Sequence, residues 1–300
     1  MFRNVLVGVD GHPGGRDAIA LASELAAPDG VITLAHVYGE HRLSGRNGSL
    51  AVIAERGQAG ALLERERDSA SVDAQLVATC AHRIGRGLHL LAERLAADLL
   101  VVGSPSHGLL GRVLMGDDTR AALDGAPCAV AIASRGYRHQ PHELETLGVG
   151  YDGSPESHVA LAAARDVAAH RVATIWALQV VSLGDERDDG ASPSDWPGGA
   201  SRLIGHTTQR VRELGDDVEG DAVYGRPREE LLRFGENLDL LVVGSRGYGP
   251  HERLFHGGVS GYLARHAPCP LLILPRGPAS APAADHAGRT EEAIMTASRH

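Results

Sequence analysis

The hexapeptide Leu-Leu-Val-Val-Gly-Ser occurs twice in this chain, at 99–104 and again at 240–245. A short apolar, β-branched run that ends in glycine reads as a buried parallel strand entering a turn. The two terminal glycines, Gly103 and Gly244, are 244 − 103 = 141 residues apart. A second pattern, Val-Gly-x-Asp-Gly-x-Pro, recurs at Val7–Pro13 and Val149–Pro155, with the acids 152 − 10 = 142 residues apart. One domain-sized unit is therefore used twice, as the length prior for 300 residues also suggests.

Each unit alternates strands with amphipathic or Ala/Leu-rich helices. In the first, strands are expected at 5–10, 31–37, 72–79, 99–103 and 129–133, with helices at 16–27, 50–68, 82–96 and near 117–125. In the second, strands are expected at 147–152, 171–181, 218–224, 240–244 and 270–274, with helices at 156–169, 201–214, 227–236 and 258–266. This alternation predicts an α/β fold, two repeated doubly wound domains with parallel sheets flanked by helices. The domains are read as 1–138 and 145–276, with 277–300 a disordered tail rich in Pro, Ala and Gly.

Composition narrows the function. Aromatics are only 4%, so the cores are mostly aliphatic. A net charge of −9 argues against nucleic acid as the main partner. All 29 basic residues are arginine, which excludes a P-loop lysine and a Schiff-base lysine. Cys80, Cys128 and Cys269 read as reduced thiols of a cytoplasmic protein, and the Ala-Pro-Cys context shared by the latter two reads as packing. No apolar run approaches a membrane span, and the N-terminus has no signal-peptide layout.

Open parallel sheets bind ligands beyond the carboxyl ends of their strands, where the strand order reverses. In the second unit those ends are Asp152-Gly153-Ser and Gly244-Ser245-Arg246-Gly247-Tyr-Gly249, followed by Gly257-Gly258-Val259-Ser260. Glycines let a phosphate approach the backbone, and the helix opening near Gly258 offers free amides and a partial positive charge. Asp152 suits a ribose, a base edge or a magnesium ion.

These motifs, with His-Ala-Pro-Cys-Pro-Leu-Leu at 266–272, resemble the universal stress protein family in its tandem form, over about 1–134 and 147–275. The resemblance implies five-stranded sheets of order 3-2-1-4-5 and ATP or a related adenine nucleotide as cofactor, for which Asp152 is the candidate ligand of an accompanying magnesium ion. It also implies pairing through the last strands, as a homodimer or within one chain, and a regulatory role in stress response rather than catalysis. Ligand contacts carry over to Asp152, Gly244, Gly247, Gly257, Gly258, Val259 and Ser260, with Gly153, Ser245, Arg246 and Gly249 beside them. Gly225, in the turn after the third strand, closes the phosphate side.

Two departures matter. The family pattern has Ser or Thr where this chain has Gly258, which removes one hydroxyl. In the first unit the series reads Gly103-x2-Ser106-x9-Gly116-Asp117, so a carboxylate stands at the helix start. There it would occupy the free amides and repel a phosphate. The first unit, with Asp10, Gly11, Gly103, Gly108, Gly116 and Thr119 as its remaining candidates, is expected to bind weakly or not at all. The alternative is an interaction or dimerisation module with both pockets vestigial; an adenine-nucleotide hydrolase would need Asp152 to hold magnesium. Gly148-x-Gly150-x2-Gly153 has dinucleotide spacing but begins inside its strand, and His251, Glu252 and His256 miss the zinc-helix spacing by one residue.

Overall fold

The computed structural model describes residues 1–39, 48–104, 113, 123, 125–139, 143–182, 199–245 and 258–275. The first half contains β1 (Phe2–Gly8), α1 (Pro13–Leu25), β2 (Ala26–Gly39), α2 (Gly48–Ala70), β3 (Ala74–Ala81), α3 (Ile84–Arg94), β4 (Leu99–Gly103) and β5 (Ala129–Ala133). The second contains β6 (Thr146–Gly150), α4 (Pro155–Arg171), β7 (Thr174–Val181), α5 (Gly199–Arg212), β8 (Val218–Tyr224), α6 (Pro227–Gly235), β9 (Leu240–Gly244), α7 (Val259–His266) and β10 (Leu271–Leu274). A 3-10 turn, Tyr137–His139, lies between the halves.

The ten strands form one sheet in the order β3-β2-β1-β4-β5-β10-β9-β6-β7-β8. Each half has the expected 3-2-1-4-5 order, and all its pairs are parallel. The halves join through their last strands, where Leu271, Leu272 and Ile273 pair antiparallel with Ile132, Ala131 and Val130. The pairing implied for last strands is thus made within the chain.

Strand residues alternate between two helical layers. Val5 and Val7 face the layer of α1, α2, α4 and α5; Leu6 faces that of α3, α6 and α7. Equivalent acids pin the strand starts. Asp98 accepts the Arg3 and Asn4 amides at 2.8 and 3.0 Å; Asp239 accepts those of Glu145 and Thr146 at 3.1 and 2.8 Å. Cys128 and Cys269 are buried, and burial pushes both thiols up to about 12, as packing residues require.

Boundaries moved where pairing or capping decides them. β2 begins at Ala26, earlier than expected, because Ala26 pairs with Phe2 before the register jumps to Asn4 and Val31. α4 runs on to Arg171, and Val172 ends it in the left-handed region at φ 57. Apart from Leu123 and Gly125, the helix expected near 117–125 lies outside the described residues, as does the tail from 277.

α1 is fastened by two partly buried polar contacts, one to the connecting segment and one to α4. Asp17, 1% exposed, accepts the amides of Gly136 and Arg138 at 2.7 and 3.1 Å and so fastens the connecting segment to α1. Arg171 donates from Nε to the Glu24 carbonyl at 3.0 Å and from Nη2 to the Ser23 and Glu24 carbonyls at 3.0 and 2.8 Å. A cation thereby satisfies the orphan carbonyls at the end of α1. Replacing Arg171 by alanine is expected to cost about 2 kcal/mol, the scale of hydrogen bonds to charged groups. A shift of the urea midpoint at constant m-value measures it; a loss under about 0.5 kcal/mol would reduce the contact to a surface pair.

Candidate functional site

The strand ends of the second half border a cavity of about 710 Å³. β6 has β7 on one side and β9 on the other, so the cavity sits where the chain reverses its direction across the sheet. Its floor is Gly150, Leu178, Val180 and Val243. Asp152, Gly244, Ser245, Gly258, Val259 and Ser260 all line it, so most described positions expected from the sequence come together. Gly153 and Gly225 are described but are not among the lining residues. Arg246, Gly247, Gly249 and Gly257 lie outside the described residues, as do Gly108, Gly116, Asp117 and Thr119.

Local chemistry explains the shape of the turn after β6. The Asp152 carboxylate accepts the Ser154 amide at 3.0 Å, which folds the turn, and Gly153 takes φ +79 with no atom within 4 Å of a would-be Cβ. Ser154 then caps α4 by accepting the Ser157 amide at 3.2 Å, and Pro155 follows in the first turn. Asp152 is exposed and is the one carboxylate among the described lining residues. It can present an oxygen to a ribose hydroxyl or contribute one ligand to a magnesium ion held mainly by phosphate and water. Among the described residues, no three His, Cys, Asp or Glu side chains are placed to hold a metal by themselves.

On the opposite wall, Gly258 caps α7 with extended backbone (φ −69) and no side-chain hydrogen bond. The first-turn amides at Val259, Ser260 and Gly261 have no intrahelical acceptor and border the cavity. The Ser260 hydroxyl is half-buried beside them. Ser245 contributes its place but not its amide, which bonds the Leu274 carbonyl at 3.0 Å. Gly244 is glycine for a reason of packing: a Cβ there would lie 2.5 Å from the backbone carbonyl of Glu156, in the first turn of α4. The missing side chain makes room for the helix rather than for a ligand.

Sequence reasoning missed the side wall. Leu203, Thr207 and Arg210 face the cavity from α5 at helical spacing, and Gln179 and Ser182 border it from the end of β7. Tyr151 also lines the cavity. The His158 Nδ1 lies 2.9 Å from the Ser154 carbonyl, so that nitrogen carries the proton. Its Nε2 then accepts the Tyr151 hydroxyl at 3.0 Å. Burial raises the Tyr151 pKa, with Arg210 opposing and Asp152 adding to the shift. The cavity thus offers a cation and a phenol on one side and free amides on the other.

The first half departs at the same level. Asp10 repeats the turn by accepting the His12 amide at 2.9 Å, and Gly11 takes φ +80. A Cβ on Gly11, however, would lie 2.9 Å from Leu62 Cδ1 of α2. Gly103 packs on α1 as Gly244 packs on α4, against the carbonyl of Gly14.

The universal stress protein family model matches residues 1–134 and 143–275. A universal stress protein of Mycolicibacterium smegmatis is 29% identical over 289 residues, spanning 90% of this chain and 96% of its own. One from Mycobacterium bovis is 30% identical over 209 residues, 65% of this chain and 70% of its own. A solved universal stress protein from Archaeoglobus fulgidus superposes with a TM-score of 0.69 at 16% identity, covering 91% of this chain and 98% of that one. At that identity the likeness is one of fold. Among the described residues no helix is long and apolar enough to cross a membrane.

Proposed function

From the premise that this chain belongs to the universal stress protein family, we propose that it binds an adenine nucleotide, ATP with magnesium, in the second-half cavity and acts as a regulatory protein in stress response. The observation that carries this reading is the meeting of Asp152 and the free first turn of α7 across a cavity of about 710 Å³. That volume falls in the range of small-molecule sites. The α7 amides take a phosphate and Asp152 takes the ribose, or shares a magnesium ion with the phosphates. Ser260 supplies a hydroxyl, and Gly247 and Gly257, expected from the sequence as phosphate contacts, lie outside the described residues. Residues 1–138 and 145–276 act as two domains of one regulatory unit, of which the first keeps the architecture and little of the site.

Denaturing freshly purified protein and separating the released nucleotides by chromatography tests the reading. The expected result is about one adenine nucleotide per chain. No released nucleotide, together with no thermal stabilisation by added ATP, ADP, AMP or cyclic AMP, overturns it and favours the interaction module with vestigial pockets.

A further inference from the structure

The contacts assigned so far leave the wall toward α5 unused. Thr207 of α5 is 2% exposed, and it lines the second-half cavity. Among the described residues its hydroxyl has no hydrogen-bond partner, and neither has the side-chain amide of Gln179. A buried hydroxyl left unpaired is costly, so one that faces a cavity favours a ligand that pairs with it. Ile175 and Ala177 of β7 share a core cluster with Val211 of α5, and strand alternation puts Gln179 on the same face. Leu203, one turn before Thr207, is 49% exposed and also lines the cavity, an apolar platform beside two polar groups. The first half differs here. Val5 and Leu147, each opposite the first leucine of the repeated hexapeptide, pair with Ile32 and Ile175. The offset between β2 and β7 is thus 175 − 32 = 143, and His36 stands where the second half has Gln179. The His36 Nδ1 lies 2.7 Å from the Val9 carbonyl, which ties that ring to the sheet.

We propose that the side chains of Gln179 and Thr207 read the edge of the nucleotide base, and that Leu203 packs on its face. The assignment rests on the nucleotide reading above and extends it to the base. α7 follows β9, Asp152 follows β6, and Gln179 lies near the end of β7; the three strands are successive neighbours in the sheet. Adjacent strands lie about 4.8 Å apart. A phosphate on the α7 amides and a ribose at Asp152 therefore send the base across the end of β7, against α5. A side-chain amide both donates and accepts, which suits adenine: its N6 amino group donates and the ring nitrogen beside it accepts. The Thr207 hydroxyl donates to a second ring nitrogen.

Calorimetric titration of the full-length chain with ATP, purine riboside triphosphate and GTP, each with magnesium, tests the base wall. Purine riboside lacks only the N6 amino group, so the parent is expected to bind its triphosphate at least about fivefold more weakly than ATP. In Gln179→Leu that gap is expected to close to within about twofold. The carboxylate of Gln179→Glu can only accept, and guanine offers two donors on one edge, at N1 and N2. That variant is expected to move the ratio of ATP to GTP affinity at least about tenfold toward GTP. Thr207→Val keeps the shape of the side chain and removes the hydroxyl, so ATP is expected to bind about fivefold more weakly, while Thr207→Ser restores the parent's affinity. A parent that does not distinguish ATP from purine riboside triphosphate overturns the base wall, and this comparison stands even where a variant fails to fold. A gap that survives in Gln179→Leu, or ATP affinity unchanged in Thr207→Val, overturns it as well. A parent that binds none of the three nucleotides overturns the nucleotide reading itself; one that binds ATP without these differences overturns the base wall alone.

Discussion

Gly244→Ala is expected to lower unfolding stability by about 3 kcal/mol, the upper end of what overpacking a rigid contact costs. The added carbon would meet the carbonyl of Glu156 at 2.5 Å, and neither partner is a flexible side-chain end. α4 would have to lift from β9, which displaces Asp152 and the Ser154 cap together. Stability and nucleotide affinity should therefore fall in the same variant. Gly103→Ala should repeat the stability loss in the first half, where the collision is with the carbonyl of Gly14. Gly258→Ala is the comparison, because nothing stands within 4 Å of its added carbon and its φ of −69 suits any residue. Urea unfolding of the three variants decides the point. A Gly244→Ala protein within about 0.5 kcal/mol of the parent would return this glycine to a ligand-facing role.

That contrast shows which part of the molecule was legible in the residues. Leu-Leu-Val-Val-Gly marked β4 and β9 to the residue, because a strand buried on both faces needs a continuous apolar run and a glycine ends it. The spacing of Asp152, Gly244 and Gly258–Ser260 found the two walls that belong to strand ends and a helix start. The wall from α5 was hidden, since Leu203, Thr207 and Arg210 look like any amphipathic stripe until the helix is placed over the strand ends. The ion pair between Arg16 of α1 and Glu66 of α2, at 2.6 Å with the Glu66 side chain 2% exposed, joins residues fifty apart in sequence and has no local pattern to announce it. The reason for Gly244 was also hidden, because a glycine that admits a helix and one that admits a phosphate are the same letter.

The position that separates these two kinds of glycine is Gly258. It caps α7 without a side chain, its surroundings are open, and it borders the cavity. The spacing of the motifs places it 258 − 141 = 117, opposite Asp117 of the first half. Gly258→Asp therefore writes the first half's residue into the second. A carboxylate at an N-cap accepts first-turn amides and suits the helix dipole, so the fold is expected to hold its stability or gain a few tenths of a kcal/mol. The same carboxylate takes the amides that a phosphate would use and repels its charge. At about 4 Å and an effective dielectric near 20 that repulsion is of order 4 kcal/mol before salt screening, so a loss of affinity of at least about 100-fold is expected. Gly258→Ser is expected to move the other way, with affinity up about fivefold from one added hydroxyl at roughly 1 kcal/mol. Calorimetric titration with ATP and magnesium on both variants, beside their thermal midpoints, reads the two effects separately. Undiminished ATP binding in a stable Gly258→Asp protein would remove the phosphate from the α7 terminus, and with it the expectation that Asp117 blocks phosphate binding in the first half.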